Sequence, residues 1–249
     1  MKKFIYKVIL ILSLISFFQC CRSLFYRSMK VETFVENKFE KKPLSYILYL
    51  PDTYETSKKK WPLLLFLHGA GERGADLELL KKHGPPKMIR EENFHEPFII
   101  LAPQCPKGSW WPDRIDELKE LIDEIQQTYR INPRRIYLSG MSMGGYGTWA
   151  MAKKYPDSFA AFNPICGGGE TENLCVLKDK PIWVFHGAKD TVVPLQKSEE
   201  MVKALKDCGK EDTIFTIYPE AKHNSWEETY ENPELYRWLL KYKLPKTEK

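Results

Sequence analysis

Residues 140–147 read Gly-Met-Ser-Met-Gly-Gly-Tyr-Gly and follow an apolar run at 135–139. This stretch predicts a sharp turn from a strand into a helix, with Ser142 at its tip. A residue at such a tip must hold an unfavourable backbone angle, and bulky neighbours two positions to either side would collide with the adjoining strand and helix. Because Gly140 and Gly144 remove both collisions, the stretch indicates where a buried strand meets the helix that covers it.

The rest of the chain alternates between buried strands and amphipathic helices. Apolar runs typical of strands buried on both faces lie at 63–67, 97–102, 135–138, 159–165, 181–187 and 213–218. Helical spacing of apolar residues predicts helices over 77–82, 113–129, 145–154, 195–206 and 234–242, the first of them ended by a break at 83–86. Two alternating segments, 31–35 and 44–50, predict an antiparallel hairpin. The fold class is therefore α/β, with a mostly parallel central sheet, an antiparallel N-terminal edge and helices on both faces.

The N-terminus has the layout of a secretory signal. Lysines at positions 2, 3 and 7 precede an apolar run at 8–18, which is short for a membrane-spanning helix. The run ends near Cys20 and Cys21. A cysteine at this place resembles the lipidated cysteine of bacterial lipoproteins, although the residues just before Cys20 are larger than those of the lipoprotein pattern. We therefore expect residues 1–20 to be a signal, with a lipid on Cys20 or Cys21 as one outcome. The expected location is periplasmic, membrane-anchored or secreted.

Charge and cysteine spacing exclude two classes of function. The net charge of +5 falls to +2 without the three signal lysines. So small a positive charge does not indicate a protein that binds nucleic acid. Cys105, Cys166, Cys175 and Cys208 have no metal-ligand spacing with histidine, so no metal site is implied. Export would permit disulfides among them. Cys166 with Cys175 would close a small loop, but the sequence leaves the pairing open.

Ser142 needs partners if it is to react. A serine hydroxyl is a weak nucleophile unless a base takes its proton and a carboxylate orients that base. In a parallel sheet such groups lie just past the carboxyl ends of strands. Asp190 meets this condition after the strand at 181–187, whereas the acids at 157, 179, 207, 211 and 212 fall at the opposite edge, and His223 follows the last strand. We predict Ser142, Asp190 and His223 as nucleophile, acid and base. The alternatives are that Asp190 is an acid of a solvated turn and that His223 is a surface histidine.

The predicted nucleophile also needs donors for the oxyanion that its attack on a carbonyl creates. Loss of one such donor typically costs about 100- to 1000-fold in rate. The backbone amide of Met143, directly after Ser142, supplies one donor. The glycine-rich turn after the strand at 63–67 is placed to supply the other from Ala70. A plain glycine turn that ends a strand would have the same composition.

Four motifs carry a resemblance to a known superfamily: HGAGERG at 68–74, GMSMGGYGTW at 140–149, HGAKDTVVP at 186–194 and HNSWEETYENPELYRWL at 223–239. With them the chain resembles the α/β-hydrolase superfamily, and within it the secreted carboxylesterases, feruloyl esterases and predicted peptidases related to dienelactone hydrolase and prolyl oligopeptidase. The resemblance implies a catalytic domain over 30–246, the triad Ser142, Asp190 and His223, and oxyanion amides from Ala70 and Met143. It implies no metal or organic cofactor.

The same resemblance implies a serine hydrolase that cleaves short-chain or aromatic esters through an acyl-enzyme, and it leaves the acyl group open. A serine peptidase for short peptides and a noncatalytic surface lipoprotein that keeps the fold are the alternatives. Trp110, Trp111 and Trp226 are candidates for substrate contact, and a core-facing aromatic pair explains Trp110 and Trp111 equally well.

Four further residues near the predicted site are expected to support it. Glu72 and Arg73 are expected to pair and so to hold the oxyanion turn, with a direct substrate contact as the alternative. His68 and His186 are expected to be structural, because each precedes a tight turn and neither has the chain position of the base.

Overall fold

The computed structural model describes residues 29–33 and 44–246. The predicted signal at 1–20, with Cys20 and Cys21, lies outside these residues, so its cleavage and lipidation stay predictions. Within the two described ranges, no helix is both long and apolar enough to cross a bilayer.

One eight-stranded sheet forms the centre of the described chain. Its strands, β1 to β8 in chain order, are Met29–Thr33, Ser45–Tyr49, Trp61–Leu67, Ile99–Pro103, Ile131–Met141, Ala161–Ile165, Trp183–Gly187 and Ile214–Tyr218. They lie in the order β1-β2-β4-β3-β5-β6-β7-β8. β2 runs antiparallel to β1 and β4, and the other neighbouring pairs are parallel. The predicted antiparallel edge and parallel centre are confirmed.

The centre of the sheet is buried on both faces. In β3, Leu63 and Leu65 belong to one core cluster, whereas Leu64 and Phe66 belong to the other, and all four are at most 1 % exposed. Because successive side chains of a strand point to opposite faces, an unbroken apolar run supplies both clusters at once. This is why the run at 63–67 shows no alternation of apolar and polar residues.

Helices cover both faces of the sheet. α1 to α6 of the described chain are Gly84–Arg90, Ile115–Thr128, Met143–Lys154, Gln196–Asp207, Trp226–Glu231 and Pro233–Lys241. The buried apolar residues of α2, α3 and α4 belong to the cluster that contains Leu63, and those of α1, α5 and α6 belong to the cluster that contains Leu64. The apolar stripe of α2 is the one that its helical spacing predicts.

Three elements differ from the prediction. Residues Leu77–Lys82 form a 3-10 helix, and the expected break at 83–86 instead opens α1. Pro85 and Pro86 fit there because the first turn of a helix leaves its amides without intrahelical partners, so proline loses no hydrogen bond. The six-residue helix α5, which follows His223, was not predicted because so short a segment carries no long apolar stripe.

A disulfide joins Cys175 to Cys208 across 33 residues, so among the pairings that the sequence left open the small loop from Cys166 to Cys175 is not formed. Cys175 lies in a 3-10 turn at Leu174–Leu177, and Cys208 follows α4, which contacts that turn. Cys166 lies at the end of β6 as a buried free thiol, and Cys105 is also buried and free. The pairing is therefore decided by the packing of α4.

Candidate active site

Ser142 lies at the tip of the turn between β5 and α3. Its backbone angles, φ 52° and ψ −117°, lie outside the regions that a residue with a side chain normally occupies. A Cβ at Gly140 would lie 2.3 Å from the Gly144 carbonyl oxygen, and a Cβ at Gly144 would lie 1.9 Å from the Leu67 carbonyl oxygen. The turn can therefore form only with glycine at both positions, and it holds Ser142 beside the end of β3.

Two consecutive hydrogen bonds join Ser142 to the predicted base and acid. The Nε2 atom of His223 lies 2.9 Å from the Ser142 Oγ, and its Nδ1 atom lies 2.7 Å from the Asp190 Oδ2. Asp190 follows β7 and His223 follows β8, so the ends of parallel strands bring the three side chains to one edge of the sheet. With the Nδ1 proton directed to the carboxylate, Nε2 can accept the serine proton.

The loop after β7 orients the Asp190 carboxylate. Its Oδ1 atom accepts hydrogen bonds from the backbone amides of Val192, at 2.8 Å, and Val193, at 2.9 Å. The Asp190 side chain is fully buried, whereas that of His223 is 19 % exposed. These two amides leave Oδ2 directed at His223, which is the arrangement that a fixed imidazole tautomer requires.

His186, in β7, supports the same loop. Its Nε2 atom donates to the Val193 carbonyl at 2.9 Å and lies 3.3 Å from the Asp190 Oδ2. Its Nδ1 atom lies 2.7 Å from the hydroxyl of Ser198 on α4. Burial lowers the pKa of His186, so the ring is neutral near pH 7. The structural role expected of His186 thus includes a direct contact to the acid, which the sequence does not reveal.

The turn after β3 borders the serine. Ala70 begins a 3-10 turn and Met143 begins α3, so both predicted oxyanion amides lie where a helical turn leaves its N–H groups without intrahelical partners. A Cβ added at Gly69 would lie 3.8 Å from the Ser142 Cβ. Together the groups around Ser142 can activate a hydroxyl and stabilise negative charge on a carbonyl oxygen.

His68 connects this turn to the loop after β4. Its Nε2 atom accepts from the Cys105 amide at 2.9 Å, and its Nδ1 atom donates to the Gly69 carbonyl at 2.5 Å. Burial lowers the pKa of His68 to about 4. A second proton would also set Nε2–H against the Cys105 N–H, so the contact to Cys105 requires the neutral ring. Trp111 adds a bond from its Nε1 to the His68 carbonyl, at 3.0 Å.

Gln104 is a supporting residue that the sequence reasoning missed. Its Nε2 atom donates to the carbonyls of Glu72 and Asp76, each at 2.8 Å. These bonds attach the 3-10 turn that begins at Ala70 to the end of β4. A polar residue directly after a buried strand, at the edge where the site lies, is the signal that points to it.

The expected pair of Glu72 with Arg73 is wrong. The Arg73 Nε donates to the Ala70 carbonyl at 3.0 Å, and its Nη1 donates to the Ser109 carbonyl at 3.2 Å. The Glu72 carboxyl turns inward instead and lies 3.9 Å from the Nε2 of His83. Adjacent side chains of a tight turn point in different directions. The Arg73 side chain therefore stabilises the turn by donating to backbone carbonyls, while the Glu72 side chain lies beneath the turn.

Trp110 and Trp111 separate into one exposed and one core side chain. Trp111 is fully buried and packs edge-on against His68, with ring centroids 5.1 Å apart. It therefore belongs to the core and cannot contact a substrate. Trp110 is 37 % exposed, and its ring centroid lies 5.5 Å from that of Tyr146. Trp226 is half-buried and packs edge-on against the His223 ring, with centroids 5.1 Å apart.

A groove with a volume of about 970 Å³ runs along α3. Trp110 and Tyr146 line it, and Tyr146 lies one helical turn after Ser142, since its amide donates to the Ser142 carbonyl at 3.1 Å. Further along, Lys153 and Glu170 form an ion pair of 3.1 Å. The groove thus presents aromatic rings near the serine and paired charges farther away.

One group of described side chains has the donor types of a metal site. Donor atoms of Cys166, Asp190 and His223 lie within 4.8 Å of one another. The Asp190 and His223 atoms are already hydrogen-bonded to each other, and burial raises the pKa of the Cys166 thiol to about 12. A thiol held in its protonated form is a poor metal ligand, so this geometry favours the hydrogen bond.

The sequence matches a family model described as "Putative esterase" over residues 39–236. It is 28 % identical over 185 residues to the bifunctional acetylxylan esterase/xylanase of Neocallimastix patriciarum, covering 71 % of this chain and 26 % of that protein. It is 41 % identical over 122 residues to poly(3-hydroxyalkanoate) depolymerase C of Paucimonas lemoignei, covering 43 % and 28 %. The chain thus spans about a quarter of the length of these relatives.

Solved structures share the fold. A thermostable esterase is 34 % identical and superposes with a TM-score of 0.75, covering 86 % of this chain and 63 % of that one. An S-formylglutathione hydrolase of Staphylococcus aureus has 16 % identity and a TM-score of 0.68, covering 86 % and 96 %, and this likeness shows the fold alone. The predicted α/β-hydrolase architecture is confirmed.

Proposed function

The chain belongs to this esterase family, and we propose that it cleaves carboxylic esters with Ser142 as nucleophile, through an acyl-enzyme intermediate. It is a carboxylesterase-type hydrolase. The observation that carries the serine mechanism is a pair of hydrogen bonds: the Ser142 Oγ donates to the His223 Nε2 at 2.9 Å, and the His223 Nδ1 donates to the Asp190 Oδ2 at 2.7 Å. The strained backbone of Ser142 supports the same assignment, because strain is retained where function requires it.

The proposed reaction begins with attack of the Ser142 Oγ on the ester carbonyl while its proton passes to the His223 Nε2. The Asp190 Oδ2 keeps the imidazole oriented and stabilises its positive charge. The amides of Ala70 and Met143 bind the oxyanion. His223 next protonates the leaving alcohol, and the acyl group stays on Ser142. His223 then activates a water molecule, which releases the acid and restores the serine.

The proposed substrates are esters of short-chain or aromatic acids. Support comes from relatives whose names specify acetylxylan and poly(3-hydroxyalkanoate), and from a feruloyl esterase module that shares the fold. The groove beside Tyr146 has a volume of about 970 Å³, which leaves room for an alcohol portion much larger than a methyl group. Trp110 and Tyr146 offer flat faces on which such a portion can pack.

A fluorophosphonate probe tests the nucleophile. We expect labelling of the wild type and none of Ser142→Ala, together with loss of p-nitrophenyl acetate turnover. Ser158→Ala, a half-buried serine beyond the far end of α3, is the matched control and should label and react like the wild type. Equal labelling of the wild type and Ser142→Ala would refute the proposed nucleophile.

A serine peptidase is the second candidate. It is favoured by 24 % identity over 219 residues to an uncharacterized peptidase of Bacillus subtilis, covering 66 % of this chain and 31 % of that protein. The same three side chains would act on an amide. Methyl ferulate and p-nitrophenyl acetate should be turned over while alanine p-nitroanilide is not, and comparable kcat/KM values for the amide would favour the peptidase.

We also propose that the chain is exported, with residues 1–20 as the signal. The Cys175–Cys208 disulfide supports this proposal, because disulfides persist in oxidising compartments. Intact mass of the protein recovered from a bacterial host tests it. Cleavage before Cys20 or Cys21 with added diacylglycerol indicates a membrane-anchored lipoprotein, cleavage without lipid indicates a soluble exported protein, and an unprocessed N-terminus in the cytoplasm contradicts export.

A further inference from the structure

A polar cluster that the proposed mechanism does not use lies between the oxyanion turn and the base. Its members are Glu72, His83, Lys87, Trp226 and Glu227. His83 is the N-cap residue of α1, Glu72 belongs to the 3-10 turn that begins at Ala70, and Trp226 with Glu227 begins α5. The cluster therefore joins three elements that have no sequence proximity.

On one side, His83 fixes the tryptophan that packs against the base. The His83 Nδ1 lies 2.9 Å from the Glu227 Oε1, and the Trp226 Nε1 lies 3.0 Å from the same oxygen but 3.4 Å from Nδ1. The carboxylate thus accepts from both rings, and the Nδ1 of His83 carries a proton. Trp226 is held edge-on between His83, at 5.4 Å between centroids, and His223, at 5.1 Å.

Glu227 is a well-defined anchor for this side. Its second oxygen accepts a hydrogen bond from Lys87 on α1. Although burial works in the opposite direction, the hydrogen bonds from Lys87 and His83 lower the pKa of the Glu227 carboxyl. The same hydrogen bond raises the pKa of Lys87. Glu227 is therefore ionised near pH 7 and is a strong acceptor for the His83 N–H.

On the other side, His83 faces the oxyanion turn. Its Nε2 lies 3.9 Å from the Glu72 Oε1, and Glu72 is only 6 % exposed. Burial raises the pKa of the Glu72 carboxyl, and the nearby His83 opposes that shift. The other Glu72 oxygen has no hydrogen-bond partner among the described residues and would lie 3.2 Å from a Cβ at Gly69. The carboxyl thus lies directly beneath the backbone that leads to Ala70.

We propose that His83 is a positioning residue that couples the oxyanion turn to the catalytic base. Through Glu227 and Trp226, His83 sets the orientation of the His223 ring. Through Glu72, it sets the position of the turn that carries the Ala70 amide. The inference rests on the proposed function, since it assigns His223 and Ala70 their roles. The His83 imidazole lies between two acidic side chains, and this placement fixes the Ala70 amide and the His223 ring relative to each other.

The test is steady-state hydrolysis of p-nitrophenyl acetate by His83 variants. His83→Ala should lower kcat by about 10- to 100-fold, the scale that a displacement of up to 1 Å produces, with KM changed by about twofold or less. His83→Asn keeps a donor near the Nδ1 position and should recover part of kcat. His83→Gln places its donor near the Nε2 position, away from Glu227, and should recover less.

Two further measurements separate positioning from simple loss of structure. Added imidazole should raise the kcat of His83→Ala at a temperature well below its Tm, where the variant is fully folded and a gain in stability cannot explain the rise. Glu227→Gln should lower kcat, and the double variant His83→Ala/Glu227→Gln should be no slower than the worse single variant, because both act through one cluster. Arg90→Ala, also on α1 and paired with Glu91 at the surface, is the control and should keep wild-type kcat. If His83→Ala does not fold, the Asn, Gln and Glu227→Gln variants decide.

Wild-type kcat in all the His83 and Glu227 variants would overturn the proposal, as would equal losses in the Asn, Gln and Ala variants that follow their losses in Tm. These outcomes are distinct from failure of the serine mechanism. If Ser142→Ala kept turnover and labelling, the proposed function would fail whatever the His83 variants did. If Ser142 proved essential and His83 did not matter, only the positioning role would fail.

Discussion

The tripeptide His-Gly-Ala occurs at 68–70, after β3, and again at 186–188, where β7 ends, and in both copies an acidic residue follows four positions after the histidine. Both histidines are at most 1 % exposed, and burial lowers the pKa of each ring. In both copies the histidine holds a loop at the carboxyl edge of the sheet. The local sequence thus produces the same local device twice.

The two copies differ in what their acidic residue reaches. Asp190 lies 2.7 Å from the Nδ1 of His223, which in turn contacts Ser142. Glu72 lies 3.9 Å from the Nε2 of His83, which contacts no reacting group directly. A strand-His-Gly-Ala-x-acid pattern thus gives a buried acidic side chain in both places, and the neighbouring loop determines which second histidine that side chain reaches.

Replacement of the Asp190 and Glu72 carboxyl groups by amides gives the largest expected contrast. Asp190→Asn should lower kcat by about 10⁴-fold, because the amide no longer fixes the imidazole tautomer. Glu72→Gln should lower kcat by about tenfold, since it acts only through the placement of the turn. Kinetics with p-nitrophenyl acetate and thermal unfolding of both variants check this contrast. Equal losses in the two variants would show that the acids were assigned the wrong roles.

Acid should destabilise the first copy by way of His68. Its pKa is about 4 in the folded protein against an ordinary 6.5, so the unfolded chain binds this proton more tightly. The stabilisation is present above about pH 6.5 and is lost as pH falls toward 4, by about 3 kcal/mol in all. His68→Gln can still accept from the Cys105 amide and should show a smaller loss of unfolding free energy between about pH 7 and pH 4. Identical urea-unfolding free energies of both proteins at both pH values would contradict this assignment.

The glycines of the two His-Gly-Ala copies, Gly69 and Gly187, should tolerate substitution by alanine differently. A Cβ at Gly187 would lie 2.3 Å from the Lys222 carbonyl oxygen, next to His223, whereas a Cβ at Gly69 would lie 3.2 Å from a side-chain oxygen of Glu72. Gly187→Ala should therefore cost about 2 kcal/mol of stability and lower kcat, because backbone atoms must move. Gly69→Ala should cost less than half of that. Gly71→Ala is the control, since a Cβ there would have nothing within 4 Å. If the Gly187→Ala variant were more stable than the Gly69→Ala variant, this prediction would be contradicted.

The smallest effect is expected from the hydroxyl that supports the second copy. Ser198→Ala removes the partner of the buried His186 Nδ1 and should cost about 1 kcal/mol of stability. Because His186 still donates to Val193, kcat should fall only by about two- to threefold. Thr56→Ala, whose hydroxyl donates to the Thr53 carbonyl at the surface, should leave both values unchanged. A Ser198→Ala variant as stable as the wild type would mean that His186 does not depend on this hydroxyl.

Much of the central architecture was predictable because it depends on local sterics and on chain order. The Gly140 collision is local, since the Gly144 carbonyl belongs to the same turn, whereas Gly144 avoids the Leu67 carbonyl of the neighbouring strand β3. The edge rule for parallel sheets then selected Asp190 and His223, and the structure places the His223 ring within hydrogen-bond distance of both Asp190 and Ser142. No side-chain geometry was needed for that selection, because every strand in the parallel part of the sheet ends at the same edge.

Two pairings between residues close in sequence are not formed. Glu72 was expected to pair with Arg73, and a bridge from Cys166 to Cys175 was one of the pairings that the sequence left open. Their actual partners, His83 and Cys208, come from loops and helix ends that packing brings near. Side-chain direction in a tight turn and the docking of α4 are set by contacts across the whole domain, so proximity along the chain was a poor guide to them.

The serine turn, the parallel sheet with its antiparallel edge, and the chain order of Ser142, Asp190 and His223 could all be predicted, because the turn glycines and the apolar runs are visible in short stretches of sequence. Three outcomes became visible only in the packed domain: Trp111 lies in the core, α4 selects the disulfide, and His83 lies between Glu72 and Glu227. Those outcomes depend on which distant surfaces pack together, and packing is a property of the assembled layers.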